Sequence, residues 1–178
     1  MQKRLSTILF SLLALPLLSQ EFNDSIMNTV MFEEIMSYTQ ERGSTAKIYY
    51  SNVGAKLYSD GAIRYIKYRA FDHRPSHKHI RMLSYNDNRS ILTELNLLNT
   101  VDLYLVQSEL LVKVDISGKT TYQDVAKRAL NGWLNSPRYK SSIENLGRRC
   151  RIEVVSISSY YESGTKTIFI AMTNFGAF

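Results

Sequence analysis

The sequence predicts an α+β fold, a three-layer α/β/α sandwich around a small antiparallel sheet. Two observations lead there. The C-terminal stretches Arg151 to Tyr161 and Thr165 to Phe175 are rich in β-branched and aromatic residues and are apolar on both alternating faces through their middles. An antiparallel strand with one wet face alternates apolar with polar residues. These strands therefore need cover on both sides, and the helical stretches upstream can supply it. The second observation is size: 178 residues, 44% of them hydrophobic, suit one domain with a proper core and argue against disorder.

Ile26 to Glu41 reads as the first helix, with Asp24 or Ser25 as its cap, Val30, Phe32, Ile35 and Met36 on one face, and Gly43 as its end. Val53 to Tyr68 reads as a second helix, weakened by Gly54 and Gly61. From Asp72 to Asn88 the pattern is lost, and Pro75 forbids a continuous helix. Ile91 to Leu98 reads as a short helix and Asp102 to Asp115 as extended. Tyr122 to Leu134 is the clearest amphipathic helix, capped by Thr121, with Val125, Ala129, Leu130 and Trp133 sharing a face. Ser136-Pro137 then restarts a helix, serine as cap and proline at its first position, and Gly147 closes it. The last two strands form a hairpin through Glu162-Ser163-Gly164.

The chain's start is set apart from this core. Lys3 and Arg4 precede an almost wholly apolar run, Leu5 to Leu18, and Ser19 is followed by polar residues. That is the pattern of an export signal over residues 1–19, with the domain at 20–178. The apolar run is shorter than the ~20 residues of a membrane span, so no stable membrane insertion is expected. Removing the signal changes the net charge from +6 to +6 − 2 = +4, with both signs interspersed. A solvated surface is expected, and no nucleic-acid partner. The single cysteine, Cys150, forms no intrachain disulfide and reads as a small buried hydrophobe.

The string Asn131-Gly132-Trp133-Leu134-Asn135-Ser136-Pro137-Arg138-Tyr139-Lys140-Ser141-Ser142-Ile143-Glu144-Asn145 resembles the W-x-N-S-P-G-H-R-x-x-I-L-N signature of bacterial members of the CAP superfamily, which also holds cysteine-rich secretory proteins. Three further stretches agree. Phe32 to Tyr38 with Glu41-Arg42-Gly43 looks like the family's first helix. Ile48 to His73 lies without a gap on its second helix, ending in Phe71-Asp72-His73. Thr173-Asn174-Phe175-Gly176 looks like its final strand. The resemblance implies the same α/β/α sandwich.

The resemblance also implies a central cleft in which two histidines and one or two acidic residues can hold a divalent metal. His73 matches the first histidine, and Glu109 in Ser108-Glu109-Leu110-Leu111 the acidic position, with Glu94 as its rival. The second histidine is replaced by Tyr139, and the glycine before it by Arg138. A phenol, with a pKa near 10, is a poor ligand beside imidazole. No cofactor is therefore expected, His73 and Glu109 being only weak metal candidates. His77 and His79 read as part of a basic loop with Lys78 and Arg81. The expectation is a secreted or extracytoplasmic CAP-like binding module, without catalysis, holding a lipid-like or cell-envelope ligand in a cleft at His73, Glu109 and Tyr139. The alternatives are a metal-dependent or His73/Glu109 hydrolase, or a basic surface that binds anionic polymers.

Overall fold

The computed structural model describes residues 22–60, 63, 84–98, 105–116, 120–148 and 150–177. The export signal expected at residues 1–19 lies outside these, as do His73, His77 and His79. What is described is a mixed α/β fold with five α-helices and a four-stranded mixed sheet.

Helix α1 (Asp24–Glu41) starts two residues before the predicted Ile26, and its cap is neither Asp24 nor Ser25. Asn23 takes that place, its side chain accepting the Ile26 N–H at 3.0 Å. Met27, Val30, Met31 and Ile35 form the buried stripe, the three-and-four spacing of a helix covering a core. Gly43 leaves the helix at φ +74°, a left-handed conformation that favours glycine.

Strand β1 (Lys47–Tyr50) follows, where the sequence suggested none. Helix α2 (Asn52–Gly54) runs on into a π-helical turn, Ala55–Ser59. Helix α3 (Tyr85–Glu94) begins six residues before the predicted Ile91. Ser84 accepts the Asp87 N–H at 3.1 Å and so caps it, a signal hidden by an otherwise polar first turn. Strand β2 is Leu105–Asp115. Helix α4 (Tyr122–Leu134) has the expected bounds and cap, since Thr121 and Asp124 each accept the other's backbone N–H. Helix α5 (Lys140–Glu144) starts later than Ser136-Pro137 predicts. Ser136 instead opens a turn, its carbonyl accepting the Tyr139 and Lys140 N–H groups at 3.1 and 2.9 Å. Strands β3 (Ile152–Glu162) and β4 (Thr167–Ala177) make the predicted hairpin.

The strands lie in the order β1-β3-β4-β2. β4 pairs antiparallel with β3 and β2, but β1 runs parallel to β3. The sheet is thus mixed, not purely antiparallel. β1 returns to the sheet from a helix, and its partner β3 is distant in sequence, so no hairpin dictates their direction.

Both faces of the middle strands are buried, as their sequences require. On one face Val155, Ile157, Ile168, Ile170 and Met172 pack with α1, α4 and α5 around Trp133, which is fully buried. On the other, Val154 and Phe175 pack with Tyr58, Ile91 and Leu92, and Ala171 and Leu111 with Ile63. Gly54 makes the second packing possible: a Cβ there would lie 3.2 Å from the Phe175 ring and from Ser156 Cβ.

Candidate functional site

β1 is much shorter than β3, and a cleft opens where it stops. The ladder between them runs from Lys47 opposite Ile152 to Tyr50 opposite Val155. Ser51 then donates its N–H to the Val155 carbonyl at 3.0 Å and turns the chain into α2. Its hydroxyl accepts the Gly54 N–H at 2.8 Å and donates to Glu94 at 2.5 Å. Glu94 also accepts the N–H groups of Asn52 and Val53 at 2.9 and 3.1 Å. A carboxylate at a helix start satisfies groups that no helical carbonyl reaches. Glu94 is thereby engaged in holding α2 in place.

Beside this junction lies a cavity of about 420 Å³ between the first turns of α1, the end of β1 and the segment 52–60. Asp24, Asn28, Tyr50, Lys56, Asp60 and Ser158 are among its walls. Tyr50 donates its hydroxyl proton to the Ile157 carbonyl at 3.2 Å, capping β3 where β1 no longer does. Its phenol is pushed up to about 12, first by burial and then by the negative charges of Asp60, Glu94 and Asp24, with a hydrogen bond from Asn28 partly offsetting them. It is a neutral phenol over the physiological range. Ser158 donates to Asp60, and Thr29 donates to the Ser25 carbonyl at 2.9 Å. The Oδ1 of Asn28 is sealed from solvent and has no hydrogen-bond partner among the described residues.

Behind Asp60 the face of the sheet toward α2 carries a buried hydroxyl cluster. Ser59 donates to the Ser156 carbonyl at 3.1 Å and lies 3.0 Å from its hydroxyl and 3.3 Å from that of Thr173. Tyr58 next to it donates to Asp87 at 2.8 Å and meets Phe175 edge-on at 5.2 Å. Burial and the Asp87 carboxylate raise its pKa further than that of Tyr50.

Comparison of the chain with family models, with curated proteins and with solved structures returns no match.

Of the three residues expected to share a cleft, His73 lies outside the described residues, and Glu109 and Tyr139 lie on opposite faces of the sheet. Glu109 pairs with Thr173 and alternates with Leu110, which belongs to the Trp133 core. It therefore projects from the opposite face, with Leu111 and the hydroxyl cluster. Tyr139 packs against the Trp133 core, with the Arg138 guanidinium 5.6 Å from its ring centre. The sheet stands between the two. Among the described residues no group of three or more His, Cys, Asp or Glu is arranged to hold a metal. The cavity residues carry no shared sequence signal, because Asp24, Asn28, Tyr50, Asp60 and Ser158 come from separate segments. Only the position of β1, itself unrecognised, brings them together.

Proposed function

We propose that this chain is an exported, CAP-like binding module and that its ligand sits in the polar cavity beside Tyr50. The family reading is supported by the Trp133 to Asn145 string and by the helical segments that pack against each face of the sheet, cover that a three-layer sandwich would need. Export rests on the basic and apolar pattern of residues 1–19. Among the described residues no helix is long and apolar enough to cross a membrane.

The observation that carries the binding role is the cavity itself. A recess of about 420 Å³ is the size of a small-molecule site, and its mostly polar walls suit a polar guest rather than an apolar one. It is bounded by a strand end, two helical segments and a carboxylate-held turn, so its walls are positioned before any ligand arrives.

The test is titration of the isotope-labelled chain with a small-molecule fragment library, read by amide chemical shifts. The expected result is a set of shifts centred on Asn28, Tyr50 and Asp60. Shifts confined to the sheet face that bears Glu109, or to Tyr139, would overturn the assignment of the site.

A further inference from the structure

We infer that the cavity beside Tyr50 selects small organic cations that carry N–H donors, the primary amines and guanidines; this rests on the binding role proposed above. The argument is one of hydrogen-bond polarity. Of the four hydroxyl groups that line the cavity, three have their protons already committed: Tyr50 to the Ile157 carbonyl, Thr29 to the Ser25 carbonyl and Ser158 to Asp60. What these groups still offer a guest is lone pairs.

The carboxylates of Asp24 and Asp60 add to that supply. Among the described residues Asp24 Oδ1 accepts the neighbouring Ser25 N–H at 2.8 Å, and a carboxylate has room for several further donors. Asn28 stands in the same wall.

Charge points the same way. The whole chain is basic, at +6, yet this recess holds two carboxylates against one ammonium, that of Lys56. A local reversal of sign in a recess concentrates cations there. An anionic or lipid-like guest meets two negative charges and a row of lone pairs. A protonated amine meets two carboxylates and the lone pairs of three hydroxyl groups, against the one ammonium of Lys56.

The probes are putrescine and agmatine, with tetramethylammonium as a cation lacking any N–H. Each is titrated into the full chain by calorimetry and by amide chemical shifts. Putrescine or agmatine is expected to bind and to shift Asn28, Tyr50 and Asp60, while tetramethylammonium binds at least tenfold more weakly. Asp24→Asn and Asp60→Asn are each expected to weaken amine binding at least tenfold. Asp60 also holds Ser158, so its variant is read only alongside an unchanged melting temperature. Asp24→Asn, on the exposed first turn, keeps the test decisive if Asp60→Asn unfolds. The inference is overturned if neither amine shifts the cavity residues at millimolar concentration, if tetramethylammonium binds equally well, or if Asp24→Asn binds as the parent does. If uncharged or anionic fragments shift the same residues while the amines do not, the ligand class fails and the binding site stands. If nothing shifts them, both fail.

Discussion

Glu94 stands at the end of α3, yet its carboxylate acts on α2. It accepts from the Ser51 hydroxyl and from two backbone N–H groups, and Ser51 is fully buried. Truncation removes three hydrogen bonds at once; water can take over the exposed Asn52 N–H, but the buried Ser51 hydroxyl loses its acceptor, and a buried donor left unmade costs more than the bond contributes when formed. Glu94→Ala is expected to lower stability by about 2–3 kcal/mol, read from the urea midpoint. Glu94→Gln, which keeps an accepting oxygen, loses about half as much. Tyr50 gives a pH signature at the same junction. Its phenol is raised to about 12 in the folded chain from 10.0, chiefly by burial. The folded state therefore holds its proton more tightly than the unfolded state. That contribution is complete below pH 10 and fades as pH climbs from 10 toward 12. Melting temperatures between pH 9 and 11.5 should fall less steeply for Tyr50→Phe than for the parent. Parallel curves would show that the phenol stays exposed to water.

At the scale of elements, two glycines mark where chain segments come closest, and they do so for different reasons. Gly147 sits at φ +75°, and a Cβ there would lie 2.2 Å from the Ser44 hydroxyl, which donates to the Gly147 carbonyl at 2.9 Å. Gly54 has an ordinary helical backbone but no space between Phe175, Ser156 and Ser51. Alanine at Gly54 gains roughly 1 kcal/mol of helix preference against overpacking of about 1–3 kcal/mol. Gly147→Ala gains nothing and adds backbone strain, so it is expected to cost about 2 kcal/mol. Chemical denaturation of both variants should therefore rank Gly147→Ala as the more damaging. Sequence patterns revealed the elements that carry their own signal. Helix α4 has a reciprocal cap and an apolar stripe, and the β3–β4 hairpin has twin β-branched runs. β1 is four residues long and is stabilised by pairing with β3, about a hundred positions away, so nothing local announces it. α3 hides its start in Tyr85-Asn86-Asp87-Asn88, a polar turn whose only mark is the Ser84 cap.

Across the whole molecule the sheet acts as a partition, and this governed what could be read of a site. Trp133 was legible as an anchor because a large aromatic on an amphipathic face is buried almost wherever that face is covered. Which sheet face Glu109 would take, and whether Tyr139 would meet it, depended on strand register, which shifts between Val106 and Ser108; one residue of slip exchanges the two faces. Trp133 ties the larger core together, joining α1, α4 and α5 to β3 and β4. Trp133→Ala is expected to cost about 3–5 kcal/mol, a large part of the ~5–15 kcal/mol that such a domain has in total. Since this is the only tryptophan, circular dichroism rather than fluorescence must follow the loss. Cys150 supplies an independent gauge. Its thiol is 7% exposed and sits just before β3, so a thiol reagent reaches it only when the structure opens. If that opening is global, labelling follows the unfolded population. The same 3–5 kcal/mol then corresponds to labelling faster by roughly 10²- to 4 × 10³-fold in Trp133→Ala, at one tenfold step per about 1.4 kcal/mol. A labelling rate unchanged by the substitution would mean that the chain around Cys150 opens by itself, and that the Trp133 core does not hold the start of β3.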